Sequence, residues 1–572
     1  MRVRVFVQIL LSGLTFLIAG LLYTQVIRHD VYRVMSEENR LRVTPLTAPR
    51  GGVFDRHEKM LARDALSFNA SIIYSQIRNK DALAGLMAEI LNVDRKTIDD
   101  GMDRCRIRPY SPVCVVSDIG TRAAIQLEEA AYEHPGLFVE ATTKREYASG
   151  SATVSVLGYI GRINRPEFDR LKHYGYRIDD MIGRAGLEKQ YDNYLRGKHG
   201  GKQVEVDNRG REIATIGYRE PNPGRDIHTT LDLDLQIFCG KLLKNNRGAI
   251  VAMDPETGKI LAMASAPSYD PEVFVDRKRS GEVKELLDNK QYPLVNRAVR
   301  AAYPPGSIFK LVIAAAALES GKARPETSSI CEGYITLGKR VFRCWKENGH
   351  GEQLMTDAIM NSCNVYFYRL GLLLGADDIA VFARKFGFGK LTKIDIPGEV
   401  TGTVPSPKWK VETFKDEWYK GETVNYAIGQ GYLLVTPIQV AEMMSVFANR
   451  GYLVRPYVVE SIGDVRINNF ERQPAGIREA ALDTVREGVM RCVNDRHGTG
   501  MKARLSEVVV SGKTGTAETS TGRNHGWFVG FAPFDKPSLV VVVFDEYGGK
   551  GGYYAAETAG KVFREAKKLG II

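Results

Sequence analysis

Cysteine is the first scarcity: 7 in 572 residues, an odd and small number that excludes a disulfide-built scaffold. Apolar runs of bilayer length are scarcer still, with one near the N-terminus and none after it. No low-complexity tract interrupts the chain. The net charge of +11 is modest for this length, and no nucleic-acid-binding motif accompanies it. The excess reads as a solvated basic surface, with attraction to anionic lipid or wall polymer as its functional gloss. Residues 65–225 hold no metal cluster, nucleophile elbow or phosphate loop. Gly512-Lys513-Thr514 imitates the end of a phosphate loop, but that motif needs glycine at 507, where Glu507 stands. What remains, 44% apolar and 26% charged, is globular and long enough for more than one core.

The one long apolar run, Val5 to Ile27, is uncharged over 23 residues. That exceeds the ~20 residues a helix needs to cross a bilayer. A cleaved signal peptide has an apolar core of only about 7–15 residues, so the run predicts an uncleaved anchor behind a short tail of residues 1–4. Arg2 and Arg4 precede the span, and Arg28, Arg33, Arg40 and Arg42 follow it, so charge alone does not orient it. A polar, helical stretch is expected next, then the extended segment Pro49-Arg-Gly-Gly-Val-Phe-Asp-Arg56. Residues 28–225 mix short strands and helices and read as a spacer or docking domain.

From Thr230 the texture changes. Gly248 to Ala264 reads as a hairpin around Asp254-Pro-Glu-Thr-Gly258, because two β-rich runs flank a turn sequence. Ser511 to Thr516, Trp527 to Phe531 and Ser538 to Phe544 read as strands, and Ala556 to Leu569 as a closing helix. The fold class is therefore α+β. Residues 226–572 should form one antiparallel sheet, built from both ends of the segment, with flanking helices and a helical subdomain beside it.

Three short motifs carry chemistry on that frame. Pro304, Pro305 and Gly306 stop the preceding structure and an alanine-rich helix follows, which sets Ser307 at a helix start and Lys310 on the same face. A desolvated lysine can take the proton of a serine hydroxyl that is otherwise a poor nucleophile. Ser362-Cys363-Asn364 offers a hydroxyl and an amide two residues apart on one loop. Lys513-Thr514-Gly515 lies on a strand, with a glycine expected to let a substrate strand approach the sheet. Each motif alone is commonplace, whereas their joint order over a sheet–helix–sheet chain is not.

With these motifs the chain resembles the class B penicillin-binding proteins, membrane-anchored D,D-transpeptidases of peptidoglycan. The likeness covers nearly the whole chain, including Pro49–Arg56 and Gly183–Tyr191 in the pedestal and Ala262–Ser268 at the entry to the transpeptidase domain. Trp409-Lys, Trp418-Tyr-Lys-Gly421 and Gly429–Gln439 are most similar to the cell-elongation type, the penicillin-binding protein 2 group. The division type is the alternative. A β-lactamase would lack the pedestal and anchor, and a membrane-tethered β-lactam sensor would add further spans and a cytoplasmic output domain.

The resemblance implies a role for each residue. Ser307 attacks the penultimate D-Ala carbonyl of a stem peptide, and β-lactams acylate it. Lys310 takes its proton, Ser362 and Lys513 relay a proton to the leaving amine, and Asn364 holds the peptide amide. Thr514 and Thr516, beside Gly515, grip the terminal carboxylate, while the backbone N–H groups of Ser307 and Thr516 form the oxyanion hole, at about 3–4 kcal/mol per donor. No organic cofactor is implied. The resemblance also implies an inner-membrane location with the catalytic domain on the periplasmic side. The partner it implies is a rod-shape membrane glycosyltransferase of the shape–elongation–division–sporulation family, within an elongation complex.

Cys331, Cys344, His350 and Cys363 follow the spacing C-x12-C-x5-H-x12-C between the Ser307 helix and the Ser362 loop. Four of the chain's 16 Cys and His residues fall within 33 positions. Three cysteines and a histidine are a closed tetrahedral set, so a structural zinc is expected, with a Cys331–Cys344 disulfide as the alternative. Cys363 lies between Ser362 and Asn364, so a metal there would pin the catalytic loop from behind.

Overall fold

The computed structural model describes residues 2–30, 41–107, 109–110, 112–178, 180–206, 212–276, 279–519, 522–549 and 551–572. The apolar run forms helix Arg2–Leu22, prolonged by a π-helical turn over Tyr23–Ile27. It is long and apolar enough to cross a membrane, and its described side chains are exposed. Arg33 and Arg40 lie outside the described residues. Of the helical stretch expected after the anchor, residues 31–40 lie outside the described residues, and Leu41–Leu46 is a strand paired antiparallel with Gly200–Val206.

Packing divides the chain into two units, one made of residues 1–50, 64–144 and 196–224, the other of residues 51–63, 145–195 and 225–572. The first holds a three-stranded sheet of Leu41–Leu46, Gly200–Val206 and Glu212–Arg219. Its separate core gathers Ala70, Ile72, Leu83, Met87, Ile98, Leu127 and Leu137 under helices Lys80–Leu91, Arg95–Cys105 and Thr121–Ala131. The division therefore does not fall at a single point near residue 225. Segments 51–63 and 145–195 belong with the second unit because Val53, Leu61, Tyr147, Leu157, Leu187 and Leu195 are buried in its core. Arg145 and Glu188 form a fully buried pair there at 2.8 Å, and Arg145 also donates to the carbonyl of Gly51 at 2.8 Å.

The second unit is built on five antiparallel strands, here β1 (Gly248–Met253), β2 (Ile260–Ala266), β3 (Ser511–Ala517), β4 (His525–Ala532) and β5 (Leu539–Asp545). Their order is β2-β1-β5-β4-β3, so the first hairpin pairs with the C-terminal strands and β3 is left as an edge. Strand residues alternate between faces, and here both faces are covered. Val540, Val542 and Phe544 enter one core with helix α1 (Lys310–Glu319). Val541 and Val543 enter the other with helices Leu233–Leu243 and Tyr554–Lys568. That is why β5 reads as an unbroken apolar run rather than as alternating residues. Each fully buried valine of this kind contributes about 1.5–3 kcal/mol. Helices α2 (Asn364–Leu374), Lys420–Ala427 and Pro437–Ala448 belong to the helical part on the α1 side.

Candidate active site

Ser307 sits on a 3-10 turn, Gly306–Phe309, that leads directly into α1. Three contacts clasp this turn. Gly306 donates to the carbonyl of Gly429 at 2.9 Å, and Trp527 Nε1 donates to the carbonyl of Pro304 at 3.0 Å. Tyr303 and Val435 exchange two backbone hydrogen bonds of 2.9 Å. Gly306 has φ +57°, and a Cβ on it would lie 2.5 Å from the carbonyl oxygen of Thr516. Only glycine allows the serine turn to lie this close to β3.

Lys310, the first residue of α1, is completely buried. Its Nζ donates to the carbonyl of Ser362 at 2.8 Å and to Asn364 Oδ1 at 2.7 Å, with Ser362 Oγ at 3.3 Å. Burial, with the nearby charge of Lys513 second, brings its pKa down to about 7. A neutral amine has two hydrogens and one lone pair. Two short bonds use both hydrogens, so the lone pair can accept from a hydroxyl, with Ser362 Oγ 3.3 Å away. Ser362 adopts φ +53°, unusual for a residue with a Cβ, between helix Met355–Met360 and α2. Cys363 N–H donating to the carbonyl of Ala358 at 3.0 Å helps hold that backbone.

Lys513, also fully buried, has its pKa lowered by burial. Among the described residues its Nζ bonds the carbonyl of Thr514 at 3.1 Å, not Ser362. Thr514 and Thr516 share one face of β3. Thr516 Oγ1 accepts from the N–H of Gly551 at 3.3 Å, and its carbonyl accepts from Gln430 Nε2 at 3.3 Å. Gly515 also bears on the serine turn: a Cβ on it would lie 2.8 Å from the carbonyl of Pro305 and 3.2 Å from Ile308 Cγ2. The glycine makes room for the serine turn, because alternation along β3 turns residue 515 toward that turn while residues 514 and 516 face the other way. Trp527 and Thr499, which touch this machinery, carry no local motif and were legible only after β4 and the turn before β3 were in place.

The four metal-capable residues converge: one ligand atom from each of Cys331, Cys344, His350 and Cys363 lies within 4.8 Å of the others. His350 Nδ1 is 3.6 Å from both Cys331 Sγ and Cys344 Sγ. Tetrahedral zinc, with bonds of about 2.3 Å to sulfur and about 2.0–2.1 Å to nitrogen, sets neighbouring ligand atoms about 3.5–3.8 Å apart. The donor set therefore fits. Cys331 and Cys344 are not joined by a disulfide in this structure. A hydrogen bond from the Cys363 thiol, aided by one from His350, holds Cys344 far below the usual thiol range. The same bond, together with burial, pushes Cys363 up.

Two family models match the chain: the penicillin binding protein transpeptidase domain over residues 248–567 and the penicillin-binding protein dimerisation domain over residues 45–229. A curated relative, peptidoglycan D,D-transpeptidase MrdA of Acinetobacter baumannii, is 34% identical over 98% of this chain and 87% of its own length. Among solved structures, a penicillin-binding protein (PBP2) in complex with MreC from Helicobacter pylori superposes with TM-score 0.81 at 28% identity, over 93% of this chain and all of its own. A chain of a peptidoglycan synthase complex, solved for the structural coordination of polymerization and crosslinking, gives TM-score 0.78 at 33% identity, covering 100% of this chain and 99% of its own.

Proposed function

Because this chain belongs to the class B penicillin-binding proteins and is an elongation-type peptidoglycan D,D-transpeptidase, we propose that Ser307 is its acylated nucleophile and Lys310 the base that activates it. The observation that carries this is the Lys310 amine, buried and lowered to about 7, with both amine hydrogens taken by Ser362 and Asn364. A lysine so held is a base near neutral pH rather than a surface cation.

The steps follow. Lys310 Nζ takes the Ser307 hydroxyl proton as Ser307 Oγ bonds to the carbonyl carbon of the penultimate D-Ala. Backbone N–H groups of Ser307 and Thr516 stabilise the oxyanion, each donor supplying about 3–4 kcal/mol. The proton passes from Lys310 through Ser362 Oγ, 3.3 Å away, to the nitrogen of the terminal D-Ala as that C–N bond breaks. The buried charge of Lys513 favours the neutral form of Lys310 and so assists the transfer. An acceptor amine from a neighbouring stem then attacks the ester carbon, its proton returns along the same path, and the Ser307 hydroxyl is restored. Asn364 orients Lys310 with its oxygen and the peptide amide with its position, and Thr514 and Thr516 donate to the terminal carboxylate.

Cys331, Cys344, His350 and Cys363 would hold a zinc ion. Bound, it would supply a rigid tether and no step of the chemistry, with Cys363 fixing the backbone between Ser362 and Asn364. Within residues 28–225, the segments that pack as the separate unit, 64–144 and 196–224, serve as the non-catalytic docking module. The resemblance to a synthase-complex chain and to a PBP2 solved with MreC supports assembly into a wall-synthesis complex, with a rod-shape glycosyltransferase as the polymerising partner. The apolar helix at the N-terminus anchors the chain in the inner membrane, with residues 28–572 on the periplasmic side.

Intact-mass measurement after penicillin treatment tests the assignment. Wild-type protein gains one stable adduct, and Ser307→Ala gains none. An adduct on Ser307→Ala would refute it.

A further inference from the structure

Beside Thr514 lies a row of side chains that the steps above do not use. Thr514 Oγ1 and Thr499 Oγ1 are 3.0 Å apart, and Thr499 Oγ1 is 3.2 Å from Cys492 Sγ. Cys492 is fully buried and Thr514 nearly so. Thr499 Oγ1 also lies 3.4 Å from the carbonyl of Met360, the last residue of the helix before the Ser362 loop. The turn bearing Thr499 is folded back on the end of helix Glu479–Asn494, where Gly500 N–H donates to the carbonyl of Cys492 at 2.9 Å. A Cβ on Gly498 would meet that same carbonyl oxygen at 2.2 Å, so the tight return requires glycine.

A threonine hydroxyl has one hydrogen to donate and lone pairs to accept with. To donate to a carboxylate, Thr514 must turn its only hydrogen outward, and its inward lone pair is then left facing Thr499. Thr499 can donate into that lone pair only if its own hydrogen points at Thr514, and it then accepts from the Cys492 thiol, a weak donor. Without a ligand the row reverses: Thr514 donates to Thr499, and Thr499 donates to Met360. That last contact, at 3.4 Å, is long and weak, so little opposes the reversal. Hydrogen bonds aligned head to tail polarise one another, which makes the outward hydroxyl of Thr514 a better donor.

We propose that Thr499 is a positioning residue for recognition of the substrate's terminal carboxylate, acting through Thr514 with the Cys492 thiol as the end donor. The proposal rests on the reading of Thr514 as a carboxylate donor given above. In this role Thr499 acts through Thr514 rather than on the substrate itself. It sets the direction in which the Thr514 hydrogen points and links that direction, through Met360, to the loop carrying Ser362.

The test compares acylation rate constants of the full-length protein with a penicillin bearing its free carboxylate and with the methyl ester of the same penicillin. Thr499→Val lowers the acid-to-ester ratio of rate constants about tenfold, a difference of about 1.4 kcal/mol. Thr499→Ser, which keeps the hydroxyl, restores the ratio. Cys492→Ala lowers it about twofold, and Cys492→Ser, a stronger donor, does not lower it. A general loosening of the fold slows both probes together and leaves the ratio where it was. An unchanged ratio in Thr499→Val, or equal ratios in Thr499→Val and Thr499→Ser, overturns the proposal. Should Thr499→Val fail to fold, an unchanged ratio in Cys492→Ala does so instead. Thr514→Val separates the two layers of argument: if its ratio is unchanged, the carboxylate reading of Thr514 fails, and if it falls while that of Thr499→Val does not, only the role of Thr499 fails.

Discussion

Gly515→Ala adds one methyl group at the join between the edge strand and the serine turn. The added Cβ would lie 2.8 Å from the carbonyl oxygen of Pro305, 3.1 Å from Trp527 Cβ and 3.2 Å from Ile308 Cγ2. The nearest of these is backbone, so no side-chain rotation relieves it. Trp527 is fully buried and its indole is tied to Pro304 at 3.0 Å, so β4 cannot retreat without breaking that bond. The turn must therefore move away from β3, and Ser307 moves with it. Overpacking of this kind costs about 1–3 kcal/mol in stability. A displacement of about 1 Å in a reacting group costs on the order of 100-fold in rate. The assay is the acylation rate constant for a penicillin, measured beside thermal denaturation. Both fall together on the packing argument. If glycine served instead to admit a substrate strand, Gly515→Ala would weaken stem-peptide binding while leaving the melting temperature untouched, and that result would refute the reasoning.

Acylation should rise with pH to a plateau with an apparent pKa of about 7, because Lys310 acts as a base only when neutral; a flat profile between pH 5.5 and 8.5 would exclude it. The same burial makes folding stability rise with pH. Lys310 is depressed from 10.5 to about 7, so the unfolded chain binds more protons throughout that window, and the contribution is lost as pH falls through about 7. Urea melts of wild type against Lys310→Met would reveal that slope as a difference between the two. Chelation, or Cys331→Ser, should lower both bound zinc, read by elemental analysis, and the melting temperature, since metal binding adds directly to folding free energy. A protein that contains no zinc as purified and carries a 331–344 disulfide would defeat this. Phe309→Ala removes a buried ring stacked on Tyr426 at 5.6 Å, two residues from Ser307, and should cost about 3–5 kcal/mol by denaturant melts while slowing acylation.

Local pattern determined a great deal of this protein. Ser307 and Lys310 share a helical face by their three-residue spacing, and Lys513 and Thr514 point to opposite sides of a strand because strands alternate. The hairpin at 248–266, the C-terminal strands and the closing helix are each a matter of period and turn residues, and all appear as expected. The apolar run near the N-terminus is helical over its whole length, α-helical to Leu22 and π-helical over Tyr23–Ile27, since it contains no proline and no charge.

Tertiary structure decided what depends on residues far apart in the chain. Lys310 meets Ser362 and Asn364 across 52 and 54 positions, and no spacing rule states that its amine would bond the Ser362 carbonyl as well. That Gly515 faces the serine turn is set by how β3 packs against that turn, since alternation alone does not say which face of the strand meets it. Thr499 reaches Thr514 only because a glycine-bearing turn folds back over a helix end. Segments 51–63 and 145–195 join the catalytic unit rather than the rest of the pedestal because their apolar side chains are buried in its core, a choice set by packing and invisible to any local window.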